Sequence, residues 1–209
     1  MAELIMGNKA KIIKWRIFTF MFWQLIKICH NPFVVIQKII QIRRLRQKVH
    51  GNPRTPKYIR SGKQYYWSCD YAGFPSDQLK EMIKWELSRL NQKNIAANNS
   101  VIPQQTVIWG ITNRCPLKCT HCYEQKNIDD TDHLSLTELF TILDKIKTHG
   151  ICHMQLSGGE PLARFDDLVS IIKEASNKID CWLLTSGFGL TIERALVLKS
   201  AGLKGANIS

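Results

Sequence analysis

Thr106-Val107-Ile108-Trp109-Gly110-Ile111-Thr112 runs directly into Asn113-Arg114-Cys115-Pro116-Leu117-Lys118-Cys119-Thr120-His121-Cys122-Tyr123. The β-branched and aromatic residues of the first stretch favour a strand, and the proline and clustered cysteines of the second make it a loop. The same order then repeats. Ser135-Leu136-Thr137-Glu138 is a capping box, in which serine and glutamate satisfy each other's helix-end donors. Its helix runs through Leu139, Ile142, Leu143 and Ile146 to Gly150, a C-terminal cap. His153 to Ser157 reads as a second strand, ending at Gly158-Gly159-Glu160-Pro161, and a helix follows from about Asp166 to Ala175. Cys181 to Thr185 is a third strand, ending at Ser186-Gly187. Thr191 starts a helix that stops at Gly202, and Gly205 to Ser209 begins a fourth strand. This alternation predicts a parallel α/β sheet or barrel. In such folds the loops after the carboxyl ends of the strands carry the active site. The chemically rich stretches 113–123, 158–161 and 185–187 all fall at that end.

Upstream the chain has a different character. Of 209 residues, 44% are hydrophobic and 22% charged, which excludes a wholly disordered or collagen-like chain. The net charge of +12 is concentrated at the start: residues 1–50 hold ten Lys/Arg and one acid, Glu3. Apolar residues run from Ile12 to Ile28, Asn31-Pro32 breaks the helix, and Phe33 to Ile42 leads into Arg43-Arg44-Leu45-Arg46. The uncharged run between Arg16 and Lys27 is ten residues, or about 15 Å of helix, against a hydrocarbon core of about 30 Å. It is too short to span. Two readings stand for this pair of basic, aromatic-rich helices: their apolar faces pack on the protein or a partner, or they lie in a membrane interface. Specific nucleic-acid binding is not expected, since no recognised module accompanies the charge.

Gly51-Asn52-Pro53-Arg54-Thr55-Pro56 reads as a linker. Tyr58-Ile59 and Tyr65-Tyr66-Trp67 flank Ser61-Gly62 as a β-hairpin. A helix follows from Pro75-Ser76-Asp77 through Leu79, Met82, Ile83, Leu87 and Leu90, and the Asn-rich 91–100 reads as a second linker. The expected organisation is a basic helical extension over 1–50, a hairpin-plus-helix accessory segment over 51–100, and an α/β core over 101–209.

Seven cysteines, an odd count, with no cleavable-looking signal, argue against a secreted disulfide scaffold and for a reducing, cytoplasmic setting. Under the interface reading, 1–50 would touch the inner membrane face peripherally. Cys115, Cys119 and Cys122 have C-x3-C-x2-C spacing, so one loop can curl three thiolates around one centre. Three readings remain open on spacing alone. An iron–sulfur cubane held by three thiolates would leave one iron free for another ligand. Zinc would take the three thiolates with His121, Cys152 or Cys181 as fourth, in a binding or scaffold protein. Cys119-Thr120-His121-Cys122 would also serve as a dithiol pair. Haem attachment is excluded, because Tyr123 and not histidine follows Cys122. Cys29, Cys69, Cys152 and Cys181 read as small buried hydrophobes.

The run from Thr112 to Tyr123, following a strand, resembles the signature of the radical S-adenosylmethionine (radical SAM) enzymes, and within them the peptide- and protein-modifying, SPASM-like branch. Ser157-Gly158-Gly159-Glu160-Pro161-Leu162 is similar to that family's GGEP motif. The resemblance covers about 104–209. It implies a partial (β/α) barrel, incomplete at the C-terminus here because Ser209 falls in the fourth strand of a core that has six βα units in the family. It implies that Cys115, Cys119 and Cys122 hold a 4Fe–4S cluster whose remaining iron is chelated by S-adenosylmethionine. Glu160 then meets the cofactor's amino group, and Gly158, Gly159 and Pro161 shape the turn. His121 stands where the family has an aromatic residue against adenine, and Ser186 and Ser209 are further polar groups on the cofactor side. The implied activity is reductive cleavage of the cofactor to a 5′-deoxyadenosyl radical that modifies a peptide or protein. The implied partners are a flavodoxin- or ferredoxin-type low-potential electron donor and a precursor peptide. No residue is assigned to the substrate.

Overall fold

Asn31-Pro32 does end the first long helix. In the computed structural model, which describes residues 2–50, 57–91 and 106–209, α1 spans Gly7–Cys29 and α2 spans Pro32–His50. His30 turns left-handed at φ 53° and donates its N–H to Ile26 O, while Asn31 Oδ1 accepts from the N–H of Phe33 at 2.9 Å. One short side chain thus satisfies a donor at the start of α2 that would otherwise be orphaned. Among the described residues no helix is long and apolar enough to cross a membrane. The linkers read at 51–56 and 91–100 lie, Asn91 apart, outside the described residues.

The chain divides into two compact units, Met1–Pro103 and Gln104–Ser209. In the first, β1 (Glu3–Ile5) pairs antiparallel with β2 (Tyr58–Ser61), which pairs with β3 (Gln64–Tyr66). The expected hairpin is therefore the larger part of a three-stranded sheet. The helix α3 (Asp77–Asn91) is capped by Ser76, whose Oγ accepts from the N–H of Leu79 at 3.0 Å. Ala10, Ile13, Ile17 and Leu25 of α1 are buried, as are Val35 of α2 and Leu79, Met82, Ile83 and Leu87 of α3. The described parts of 1–50 and 51–100, expected as separate pieces, thus share one sheet and one core. Three residues at the very start make the joint, too short a run to show a period-two pattern.

The second unit follows the alternation read from the sequence. Four parallel strands, β4 (Thr106–Gly110), β5 (His153–Ser157), β6 (Asp180–Thr185) and β7 (Gly205–Ile208), lie side by side in chain order. Between them run α4 (Leu136–Thr148), a 3-10 turn at Pro161–Arg164 continuing into α5 (Phe165–Ala175), and α6 (Ile192–Ala201). The capping box forms in full: Ser135 Oγ accepts from the N–H of Glu138, and the Glu138 carboxylate accepts from the N–H of Ser135 at 2.8 Å. Trp109, Met154, Leu156, Cys181 and Leu183 form the strand side of the core, against Leu139 and Leu143 of α4 and Leu168, Ile171 and Ile172 of α5. In register with this set, Ile108, Gln155, Trp182 and Gly205 occupy the alternate positions. The sheet is thus apolar toward its helices and mixed on its other face. Among the described residues it is an open four-stranded parallel sheet, not a closed barrel.

Candidate active site

The sheet's carboxyl end collects the chemistry. β4 leads into the cysteine loop, β5 into Gly158-Gly159-Glu160, and β6 into Ser186-Gly187. Main-chain hydrogen bonds stitch the first two together: the N–H of Gly159 donates to Thr112 O and that of Glu160 to Arg114 O, both at 2.8 Å. The glycines are what allow this. A Cβ on Gly158, whose φ is +138°, would be driven into the carbonyl of Thr112, and one on Gly159 into the carbonyl of Arg114. The close approach they make is to the backbone of the cysteine loop.

Glu160 is buried at 2% exposure, and its carboxylate is held at both oxygens. Oε1 accepts from Thr185 Oγ1 at 2.6 Å and from the N–H of Leu162 at 3.1 Å. Oε2 accepts from the N–H of Ser186 at 2.9 Å and from Ser186 Oγ at 2.6 Å. A carboxylate offers about four lone-pair sites, so these four donors occupy them. An ammonium group reaching Glu160 would have to take the place of one, and the rotatable hydroxyls are the donors free to turn aside.

A second network braces the entry to the cysteine loop. Thr112 Oγ1 donates to Asp132 Oδ1 and accepts from the N–H of Arg114 at 3.0 Å. Arg114 Nε pairs with Asp132 Oδ2 at 2.9 Å, and its Nη2 donates to Ala163 O at 2.9 Å. Arg164, buried, pairs with Asp167 and donates to Ile111 O at 3.2 Å. Neither Asp132 nor Arg164 stood out in the sequence, because isolated charges in loops carry no spacing to read.

Cys115, Pro116 and Arg114 line a cavity of about 410 Å³ together with Glu160, Phe188 and Arg194. That volume lies within the range of small-molecule sites. Ser186 reaches the site through Glu160. His121 and Cys119 are exposed on the loop, Cys122 is half-buried, and Ser209 sits at the end of β7, its N–H donating to Thr185 O. Of the expected residues, Cys115 and Glu160 line the cavity and Ser186 bonds Glu160; Cys119, Cys122, His121 and Ser209 are not in its lining. Among the described residues no three His, Cys, Asp or Glu side chains form a metal-holding group. Thiols gain little from converging without an ion to share.

The structure disfavours two of the three fourth ligands considered for zinc, Cys152 and Cys181. All three thiols are free, on one loop, and none is fully buried. Cys152 and Cys181 lie buried at the amino ends of β5 and β6. Four residue steps along the strand separate Cys181 from Thr185, about 13 Å at the usual rise. Neither can reach the cysteine loop as a fourth ligand. Burial, with Asp180 adding and Lys204 opposing, pushes the Cys181 thiol up to about 12, as a structural cysteine should be. Cys29 and Cys69 are only half-buried, not the buried hydrophobes expected.

Fold and site together define an α/β protein with a thiol-rich loop at the carboxyl end of its parallel sheet. Residues 109–209, just short of half the chain, match the family described as the radical SAM superfamily, and over this segment the chain is similar to its members. Members of that superfamily bind a 4Fe–4S cluster and S-adenosylmethionine. The chain is 39% identical over 104 residues to a PqqA peptide cyclase of Methylocella silvestris, covering 47% of this chain and 27% of that protein. It is 34% identical over 104 residues to a GTP 3′,8-cyclase of Campylobacter fetus, covering 47% and 32%, and 35% identical over 106 residues to an Fe-coproporphyrin III synthase of Methanosarcina barkeri, covering 49% and 26%. It therefore spans about a third or less of the length of these relatives. No solved structure matches it significantly.

Proposed function

We propose that this chain carries the cluster- and cofactor-binding part of a radical SAM enzyme that modifies a peptide or protein. The observation that carries this reading is the shared cavity: Cys115 and Glu160, from loops after different strands, line one space. Cys115, Cys119 and Cys122 would ligate three irons of a 4Fe–4S cluster. The cluster so held would, when supplied with an electron from a donor, provide reductive cleavage of bound S-adenosylmethionine, the chemistry by which hydrogen could be taken from a substrate.

The chain's own residues prepare that space. The Gly159 and Glu160 stitches fix the turn against the cysteine loop. Thr185 and Ser186 aim the Glu160 carboxylate, which suits an amino group. Phe188 and Arg194 offer an apolar wall and a cation on the same cavity, and His121, Ser186 and Ser209 remain our assigned contacts for the rest of the cofactor. A low-potential donor of the flavodoxin or ferredoxin type would supply the electron. The likeness to proteins named PqqA peptide cyclase supports a precursor peptide as substrate.

Anaerobic reconstitution with iron and sulfide tests the reading. The expected product is a brown protein whose reduced cluster changes its electron paramagnetic resonance spectrum on adding S-adenosylmethionine, with the chromophore lost in Cys119→Ala. A colourless protein holding one zinc, or a cluster indifferent to the cofactor, would refute it.

A further inference from the structure

We infer that the α1–α2 hairpin docks on an anionic lipid surface through the side of α1 turned away from its own core. The packing reading holds for one face of α1, and the opposite face is left exposed. Ala10, Ile13, Ile17 and Leu25 are buried. Roughly opposite, at spacings of three, four and four, stand Ile12, Trp15, Thr19 and Trp23; both tryptophans are more than half exposed, at 68% and 57%. These residues line an open apolar groove of about 560 Å³ with Phe20 and Phe74.

Charge frames this stripe. At 100° per residue, Lys11 falls along one edge of it and Arg16 and Lys27 along the other. On α2 the exposed Phe33, Ile36 and Ile40 repeat the three- and four-residue spacing. From Leu4 to Cys69 the sequence has no Asp or Glu. An exposed apolar row flanked on both sides by cations, with tryptophans within it, matches the boundary between acyl chains and anionic headgroups. A second copy of the chain is a poor occupant, because two such faces would set their cations against each other.

Flotation of the full chain with vesicles tests this. Binding is expected to vesicles of equimolar phosphatidylcholine and phosphatidylglycerol, to weaken with added salt, and to be nearly absent with phosphatidylcholine alone. Each basic residue near such a surface contributes roughly fivefold in partitioning, so Lys11→Glu with Arg16→Glu should lower it roughly twenty-fold or more. Trp15→Asp with Trp23→Asp should abolish it while circular dichroism stays unchanged, since both side chains are exposed. Failure to float with phosphatidylglycerol, flotation indifferent to either pair of substitutions, or dimerisation in solution that the Trp15→Asp/Trp23→Asp pair abolishes would each overturn the proposal. The cluster reconstitution is independent of all three results.

Discussion

Thr185 Oγ1 donates to Glu160 Oε1 at 2.6 Å and accepts from the N–H of Gly187 at 3.0 Å, so one hydroxyl ties the acid of the β5 turn to the turn after β6. Ser186 does the same one residue later, donating to Oε2 and accepting from the N–H of Phe188 at 3.2 Å. Thr112 repeats the arrangement after β4, between Asp132 and the N–H of Arg114. Each strand-end hydroxyl orients a carboxylate while closing its own turn.

Removing the first of these ties should therefore be felt in stability before any cofactor is present. Thr185→Val keeps the shape and leaves a buried carboxylate short of a donor, a loss of about 1–3 kcal/mol. Ser186→Ala should cost less, because the Ser186 N–H still reaches Oε2. Urea denaturation of the two variants checks the ranking; equal losses would contradict it.

Gly159→Ala should cost about 1–3 kcal/mol by forcing the turn off the Arg114 carbonyl, and should lower the iron bound on reconstitution. Gly150→Ala is the comparison. Its φ is +72° with open space around it, so only the local strain of about 1–2 kcal/mol applies and iron uptake should be unchanged. Thermal melts and iron assays on both variants separate close approach from backbone strain.

Thiol reactivity should divide the cysteines by position. Cys119, exposed, should be alkylated quickly in the metal-free protein, while Cys181, buried and raised to about 12, should react only after unfolding. Mass spectrometry of protein treated with iodoacetamide reads this directly. After reconstitution Cys119 should be protected, and Cys152→Ala and Cys181→Ala should leave the iron content unchanged.

The capping box sets an acid limb. Hydrogen bonds from the Ser135 N–H and hydroxyl hold the Glu138 carboxyl below its ordinary value of 4.5. A depressed folded value stabilises the protein above the unfolded one, and that contribution is lost as pH falls through the folded value. Ser135→Ala should cost about 1 kcal/mol at neutral pH through the lost cap. Glu138→Gln, which removes the titrating carboxyl, should flatten the decline in melting temperature below pH 4.5; an unchanged slope would show that Glu138 is not responsible.

The α/β half was legible because period and punctuation coincide there. Leu139, Leu143 and Ile146 keep helical spacing between a capping box and Gly150, and the strands are short apolar runs ending in Gly or Ser. The cysteines stood out as candidates by their spacing, and Glu160 by the resemblance of 157–162 to a family motif. Asp132 and Arg164 did not, since their partners come from separate loops brought together only by the fold. Pairing of β1 with β2 was hidden for the same reason: Glu3 meets Arg60 across more than fifty residues, and no local pattern announces it. The dual character of α1 was legible only in part. Apolar residues nearly encircle it, and sequence cannot say which of them find neighbours.

The joints between the 112–114 and 158–160 segments are made by peptide groups, and peptide groups do not change when residues do. The side chain of Asn113 can drift in descent without unfastening the two loops, whereas the neighbouring glycines have no acceptable substitute. Descent should therefore leave position 113 variable and positions 158 and 159 frozen.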